Sequence, residues 1–287
     1  MMKKTIFVGA LASLILFSSN LYAEDSARKT KGNGATSLSL FYDLGADRQL
    51  FTTTIEGFYT DPWGSTFFFV DHDYPMNFSP AYADATKKEK ALGGTYWEIA
   101  RALNFWHNSP VKDLSAHIEY NGGAYRQYAI HHAFLVGVEY LLHNKDYSNT
   151  FTFQLLYKNT IYPAGVWSTN KGYEKHHQSL VPLQFTFVWG MNNIGGVKGL
   201  NFSGFIDVWG EDHYVFKAED WAHGPDYSTE PRLAHVTAIT EPQLWYAFGQ
   251  HFGCDNLNIG TEIEISWDFG ATAGFRIRPC LGLKWVF

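Results

Sequence analysis

The chain lacks most of what marks a soluble domain or a nucleic-acid binder. Of its 287 residues only two are cysteines, Cys254 and Cys280, too few for a disulfide scaffold. Cys280 falls mid-strand by pattern and Cys254 in a turn, so no pairing is expected. Acids outnumber bases and the formal net charge is −6, which leaves no basic footprint for nucleic acid. After the first 23 residues no uninterrupted apolar stretch reaches the ~18 residues that suggest a membrane helix. No G-x-S-x-G occurs, and Ser115 beside His117 is a neighbour in sequence without a third group to complete a hydrolytic centre. The histidine pairs His131-His132 and His176-His177 have no cysteine partner or spaced third ligand. No metal site and no cofactor is therefore expected.

What is present points elsewhere. The opening "MMKKTIFVGALASLILFSSNLYAED" carries Lys3 and Lys4, an apolar core and Ala23 before two acids. This is the layout of a secretory signal peptide spanning residues 1–23. An N-terminal segment follows over 24–35. Aromatics make up 17% of the chain and glycines number 26, a balance that favours strands and turns over a helical core.

Residues 259–269, "IGTEIEISWDF", set the pattern. Ile259, Thr261, Ile263, Ile265, Trp267 and Phe269 alternate with Glu262, Glu264, Ser266 and Asp268. A period of two is that of a β-strand with one apolar and one polar face. Similar runs lie near 36–45, 50–60, 63–73, 94–106, 112–121, 130–143, 149–158, 180–191, 199–210, 235–249, 258–269 and 276–287, twelve in all. The connections alternate in length too. "TDPW", "HNSPV", "NKDYS" and "NNIGGVKG" are short, whereas three on the other side, such as "HDYPMNFSPAYADATKKEKALGG", are long.

Short turns at one end and long loops at the other are the asymmetry of a transmembrane barrel. A soluble barrel must fill its interior with apolar side chains, which becomes hard beyond about eight strands. The faces therefore read lipid outside and polar inside. The expected fold is all-β, a single 12-stranded antiparallel transmembrane β-barrel of the outer membrane over 36–287, present as a monomer in contact with lipid. On this reading Glu262, Glu264 and Asp268 face a water-filled lumen. A last hairpin turning around Thr272 would set Asp268 opposite Arg276 and Glu264 diagonal to Arg278. Arg101 interrupts an apolar face and is expected at a bulge or rim.

The stretch "TTTIEGFYTDPWGSTFFFVDHDYP" concentrates candidate site residues. Thr52, Thr54, Glu56 and Phe58 face inward on one strand, and Ser65, Phe67, Phe69 and Asp71 on the next. Inward aromatics could stack on a flat ring while neighbouring carboxylates accept hydrogen bonds from hydroxyls. They could equally plug the wall.

At these residues the chain resembles the nucleoside-specific channel-forming outer-membrane proteins, the Tsx-like family. The shared pattern is Glu56-x-Phe58, then Trp63, then Phe67-x-Phe69-x-Asp71. Weaker echoes are "YWEIA" with Glu98, and "LNFSGFIDVWGED" with Asp207 and Trp209. "TAITEPQLWYAFGQ" and the acids of "IGTEIEISWDFG" depart from the family's pattern and place the chain in a branch of its own. The resemblance implies a narrow barrel passing nucleosides, with Glu56, Phe58, Phe67, Phe69, Asp71, Glu98, Asp207 and Trp209 lining the solute path. The competing class is a non-transporting barrel, structural or adhesive, or a lipid-active enzyme.

Overall fold

The computed structural model describes residues 33–74, 93–106, 108–125, 128–161 and 181–287. The expected signal peptide, the pair His176-His177 and two of the long connections lie outside the described residues. The strands are β1 (Asn33–Asp43), β2 (Phe51–Asp61), β3 (Gly64–Tyr74), β4 (Gly94–Leu103), β5 (Leu114–Tyr125), β6 (Tyr128–His143) and β7 (Asn149–Ile161). They continue with β8 (Leu183–Met191), β9 (Leu200–Val215), β10 (Arg232–Thr240), β11 (Gln243–Tyr246), β12 (Leu257–Trp267) and β13 (Phe275–Val286).

Apart from β10 and β11, consecutive strands pair antiparallel, and β1 closes on β13 with Leu40 opposite Leu283. Closure removes the unpaired edges that would otherwise recruit another chain. Strands β10 and β11 both lie between β9 and β12, end to end, so thirteen strands make twelve staves. The interruption falls at Glu241-Pro242, because proline has no N–H to give to a ladder. The neighbours bridge the gap with Glu241 N donating to Phe205 O at 3.2 Å and Ile263 N to Pro242 O at 3.1 Å. The sequence reading ran this stave unbroken from 235 to 249.

The faces are as the alternation requires. Leu38, Leu40, Ile55, Ile99, Ile118, Val136, Leu155, Phe185, Ile259, Leu281, Leu283 and Trp285 are exposed on the outside. Trp63, Phe105, Phe252 and Phe287 are exposed beside the short turns, where amphipathic rings suit a headgroup layer. Among the described residues no helix is long and apolar enough to cross a membrane. Arg101 points outward in an unbroken ladder and donates to Asp61 at 2.7 Å and to Thr66 at 3.0 Å. It is a rim residue rather than a bulge.

The last hairpin differs from its expected register. Glu264 lies directly opposite Arg278 and Ser266 opposite Arg276, so the turn centres nearer Ala271 than Thr272. Asp268 has left the ladder with a left-handed φ of 48°. Its carboxylate accepts from Gly274 N at 2.6 Å and from Arg232, a turn-closing role that Asp tolerates well in this conformation. That kink also reverses the next side chain. Phe269, expected outside, packs inward edge-on to Trp209 at 6.1 Å.

Candidate functional site

Inside the barrel the lumen falls into a packed part and an open part. In the packed part the connection between β1 and β2 folds inward. Leu44 N bonds Pro279 O at 2.9 Å and Gly45 N bonds the Asp43 carboxylate at 2.6 Å. That turn aims Asp47 and Arg48 at β12 and β13. Arg48 pairs with Glu264 and, at 3.2 Å, with Asp43. Arg278 donates to Glu264 at 2.6 Å and to Asp47 at 2.9 Å. Two guanidinium groups thus share one carboxylate, the geometry in which buried charges offset their lost hydration.

The acids expected to face open water are instead enclosed: Glu262 is 0% and Glu264 1% exposed. Glu262 accepts from Gln243 at 2.6 Å, and Gln243 accepts from the Trp245 indole at 2.8 Å. Trp245 spreads over two inward glycines, Gly260 and Gly282, which are register partners. A Cβ at Gly260 would stand 2.4 Å from the indole and one at Gly282 2.7 Å from it. Phe41 meets the same ring edge-on at 5.6 Å. Arg276 turns to the hairpin carbonyls of Phe275 and Ala273 at 2.6 and 2.9 Å. Of the expected ladder, Glu264–Arg278 is a direct pair, while Glu262, Asp268 and Arg276 have other partners. Glu241, on the broken stave, is 0% exposed with no hydrogen bond to either carboxylate oxygen among the described residues. Sequence reading missed Asp47, Arg48 and Glu241, and the Glu-Pro step was the signal for the last of these.

The open part is a cavity of about 500 Å³ that reaches the short-turn rim at Pro62, Asn108, Lys112, Asp113 and Tyr147. Its wall includes Phe58, Phe67, Glu98, Ser115, His117, Glu119, Glu139, Gln154, Thr186 and Asp207. Phe58 and Phe67 are register partners on β2 and β3. Tyr96 donates to Glu98 at 2.7 Å, and Thr186 donates to Asp207. His117 holds Glu139 at 2.8 Å through Nδ1 and Glu119 at 3.0 Å through Nε2. With both ring nitrogens facing carboxylates, His117 cannot take a proton from Ser115. Lys158 reaches Gln184 at 3.0 Å and lies 4.1 Å from the centre of the Trp209 ring. No group of three or more metal-binding side chains occurs among the described residues, and both cysteines are free.

The eight residues expected on the solute path are therefore divided. Phe58, Phe67, Glu98 and Asp207 line the cavity. Phe69, at 0% exposure, is wedged between Phe67 and Tyr96 at 5.9 and 5.8 Å. Asp71 is buried against Thr54 at 2.5 Å, and Glu56 is buried beside them. Trp209 donates to Glu211 at 2.6 Å and belongs to an apolar cluster with Val188, Phe205 and Ile239.

Beyond the barrel strands, the connection after β9 packs on the last hairpin, with Phe216 N on Ala271 O at 2.8 Å and Ala273 N on Phe216 O at 2.9 Å. In this connection the Asp220 carboxylate beside His223, at 2.8 Å, raises the imidazole pKa, and the same contact lowers that of Asp220.

The chain belongs to the family described as Domain of unknown function (DUF5020), which it matches over residues 36–287. No curated protein matches it in sequence. Among solved structures it is similar to the NanC porin, at 9% identity and a TM-score of 0.47 over 88% of this chain and 98% of that one. It is similar also to the KdgM porin, at 7% identity and a TM-score of 0.42 over 88% and 99%. A BenF-like porin from Pseudomonas fluorescens Pf-5 gives 10% identity and a TM-score of 0.40 over 91% and 99%.

Proposed function

We propose that this member of the DUF5020 family lies in the outer membrane of a Gram-negative bacterium, exported by a cleaved signal peptide, and passes small hydrophilic solutes by diffusion. It works as a single chain, without catalysis or cofactor, and nucleosides are its favoured cargo. The observation that carries the reading is the cavity of about 500 Å³ inside the barrel, lined by the register partners Phe58 and Phe67 and by Glu98 and Asp207. Solute pockets commonly hold ~300–1,000 Å³. A base against the rings and ribose hydroxyls against the carboxylates match the chemistry of that wall.

The filled part of the lumen, locked by Arg48 and Arg278 on Glu264, favours a second reading, a structural barrel that transports nothing. Nucleoside uptake into liposomes holding the purified protein separates the two. Adenosine should enter faster than a disaccharide of similar size, and Phe67→Ala should weaken nucleoside binding by ~1–3 kcal/mol, the worth of one lost stack. Equal entry of adenosine and disaccharide would remove the nucleoside preference. No entry of either would leave the structural reading.

A further inference from the structure

Among the described residues, four other than glycine hold a left-handed backbone: Gln49, Tyr147, Asn193 and Asp268. Asn and Asp tolerate that conformation because their short polar side chains bond locally, and Gln49 sits in the locked connection between β1 and β2. A bulky ring has no such excuse. Tyr147, at a φ of 55°, is therefore the outlier. It lies in the short turn between β6 and β7, where its N–H donates to Asn144 O at 3.1 Å. The backbone of this turn favours glycine or asparagine, so the tyrosine ring is held there against local preference. Side chains kept in that way cluster where ligands are handled.

The ring also has a defined place. It stacks on His143 with centroids 3.7 Å apart and planes 10° from parallel. His143 is itself tied down, with Nδ1 on Asn144 O at 2.8 Å and Nε2 facing Asp113 at 3.5 Å. It continues the inward set of β6, in which Glu139 and Leu141 line the cavity. Tyr147 and Asp113 line the same cavity at its mouth. The ring thus belongs to the solute path rather than to the lipid-facing girdle, and the stack on His143 sets its orientation before any solute arrives. An aromatic side chain attracts another ring met at its face or at its edge. We propose that Tyr147 is a specificity residue of this cavity, receiving flat aromatic solutes at the mouth before they reach Phe58 and Phe67. The inference rests on the cavity being the solute site of the proposed channel.

Position 147 allows a test that spares the fold. Tyr147→Gly and Tyr147→Asn remove the ring and relieve the left-handed backbone, so both should give as much of the folded, unboiled gel species as wild type. Calorimetric titration of the full-length protein in detergent then compares adenosine with ribose, which has the sugar without the flat base. The ratio of adenosine to ribose affinity should fall ~tenfold in both variants, as expected for one lost stack, with ribose itself unchanged. Tyr147→Phe keeps the ring and should keep the ratio. A ratio unchanged in Tyr147→Gly, a fall shared equally by adenosine and ribose, or an equal loss in Tyr147→Phe would overturn the proposal. Failure of both ring-free variants to assemble would overturn it too, by showing that the ring serves the fold. Phe67→Ala separates the inference from the channel reading. If that variant lowers the ratio while Tyr147→Gly does not, the cavity remains the solute site and the inference falls. If liposome uptake fails while Tyr147→Gly still lowers the ratio, the inference stands on binding and the channel reading falls.

Discussion

The ammonium of Lys284 lies 3.4 Å from the centre of the Trp245 ring, buried in the lumen with no hydrogen bond among the described residues. The indole face attracts it, an interaction worth ~2 kcal/mol or more when desolvated, and the carboxylates of Glu56 and Glu262 act on the same charge. Trp245→Ala removes that face and leaves a void over Gly260 and Gly282. We expect a loss of ~3–5 kcal/mol, read as a lower denaturant midpoint for loss of the folded, unboiled gel species. A midpoint equal to wild type would mean that the lumen packing contributes little to stability.

Arg48→Ala tests the inward fold of the first connection. Removing one member of a buried ion network leaves Glu264 and Asp43 short of a partner, at a cost of ~3–5 kcal/mol. It also removes one of the ties that hold residues 44–50 in the lumen, leaving Arg278 on Asp47 and Leu44 N on Pro279 O. Single-channel conductance in planar bilayers should rise. An unchanged conductance in a folded variant would place the network outside the conduction path.

Lipid contact is tested by charge on the outer face. Val136 is 52% exposed at the middle of β6. Val136→Arg should cost ~2–4 kcal/mol if hydrocarbon surrounds it, and Gln154→Arg on the lumen side should cost far less. Equal stability of the two variants in lipid vesicles would count against the assigned faces.

His223 and Asp220 give a pH prediction. The contact raises the His223 pKa and lowers that of Asp220. The imidazole's share of the interaction is present below its unfolded value and lost as pH rises through the raised one. The carboxylate's share is present above its unfolded value and lost as pH falls through the lowered one. The pair is therefore complete in the weakly acidic window between them. In an NMR titration His223 should titrate above a free imidazole, and Asp220→Asn should bring it back down. An unshifted His223 in the parent protein would mean that the contact does not form in solution.

How the fold could be read from the sequence is clearest at β12. Strict alternation in "EIEIS" placed Ile263 and Ile265 outside and Glu262 and Glu264 inside, and the structure keeps all four there. The same rule assigned inward Phe67 and Asp71 and outward Leu281 and Trp285. It works because the backbone of a strand alone sends successive side chains to opposite faces, whatever the rest of the chain does. Strand number and the one-sided loop lengths follow from the same local signal.

What only tertiary structure decided is whether an inward side chain meets water or another side chain. Glu56 and Glu98 have the same parity and chemistry, yet one is packed and the other lines a cavity. The difference comes from side chains such as Lys284 and Glu262, which β13 and β12 bring to Glu56 from far away in sequence, and periodicity carries no record of which staves face each other across a tilted barrel. The register of the last hairpin depended on a left-handed Asp268, and the broken stave on Pro242. Each is a single backbone event that a period of two averages away. The sequence by itself determined which face each residue takes, because that is a property of neighbouring peptides. The cavity and the ion lock arise from contacts among distant segments, and only closure of the barrel brings those together.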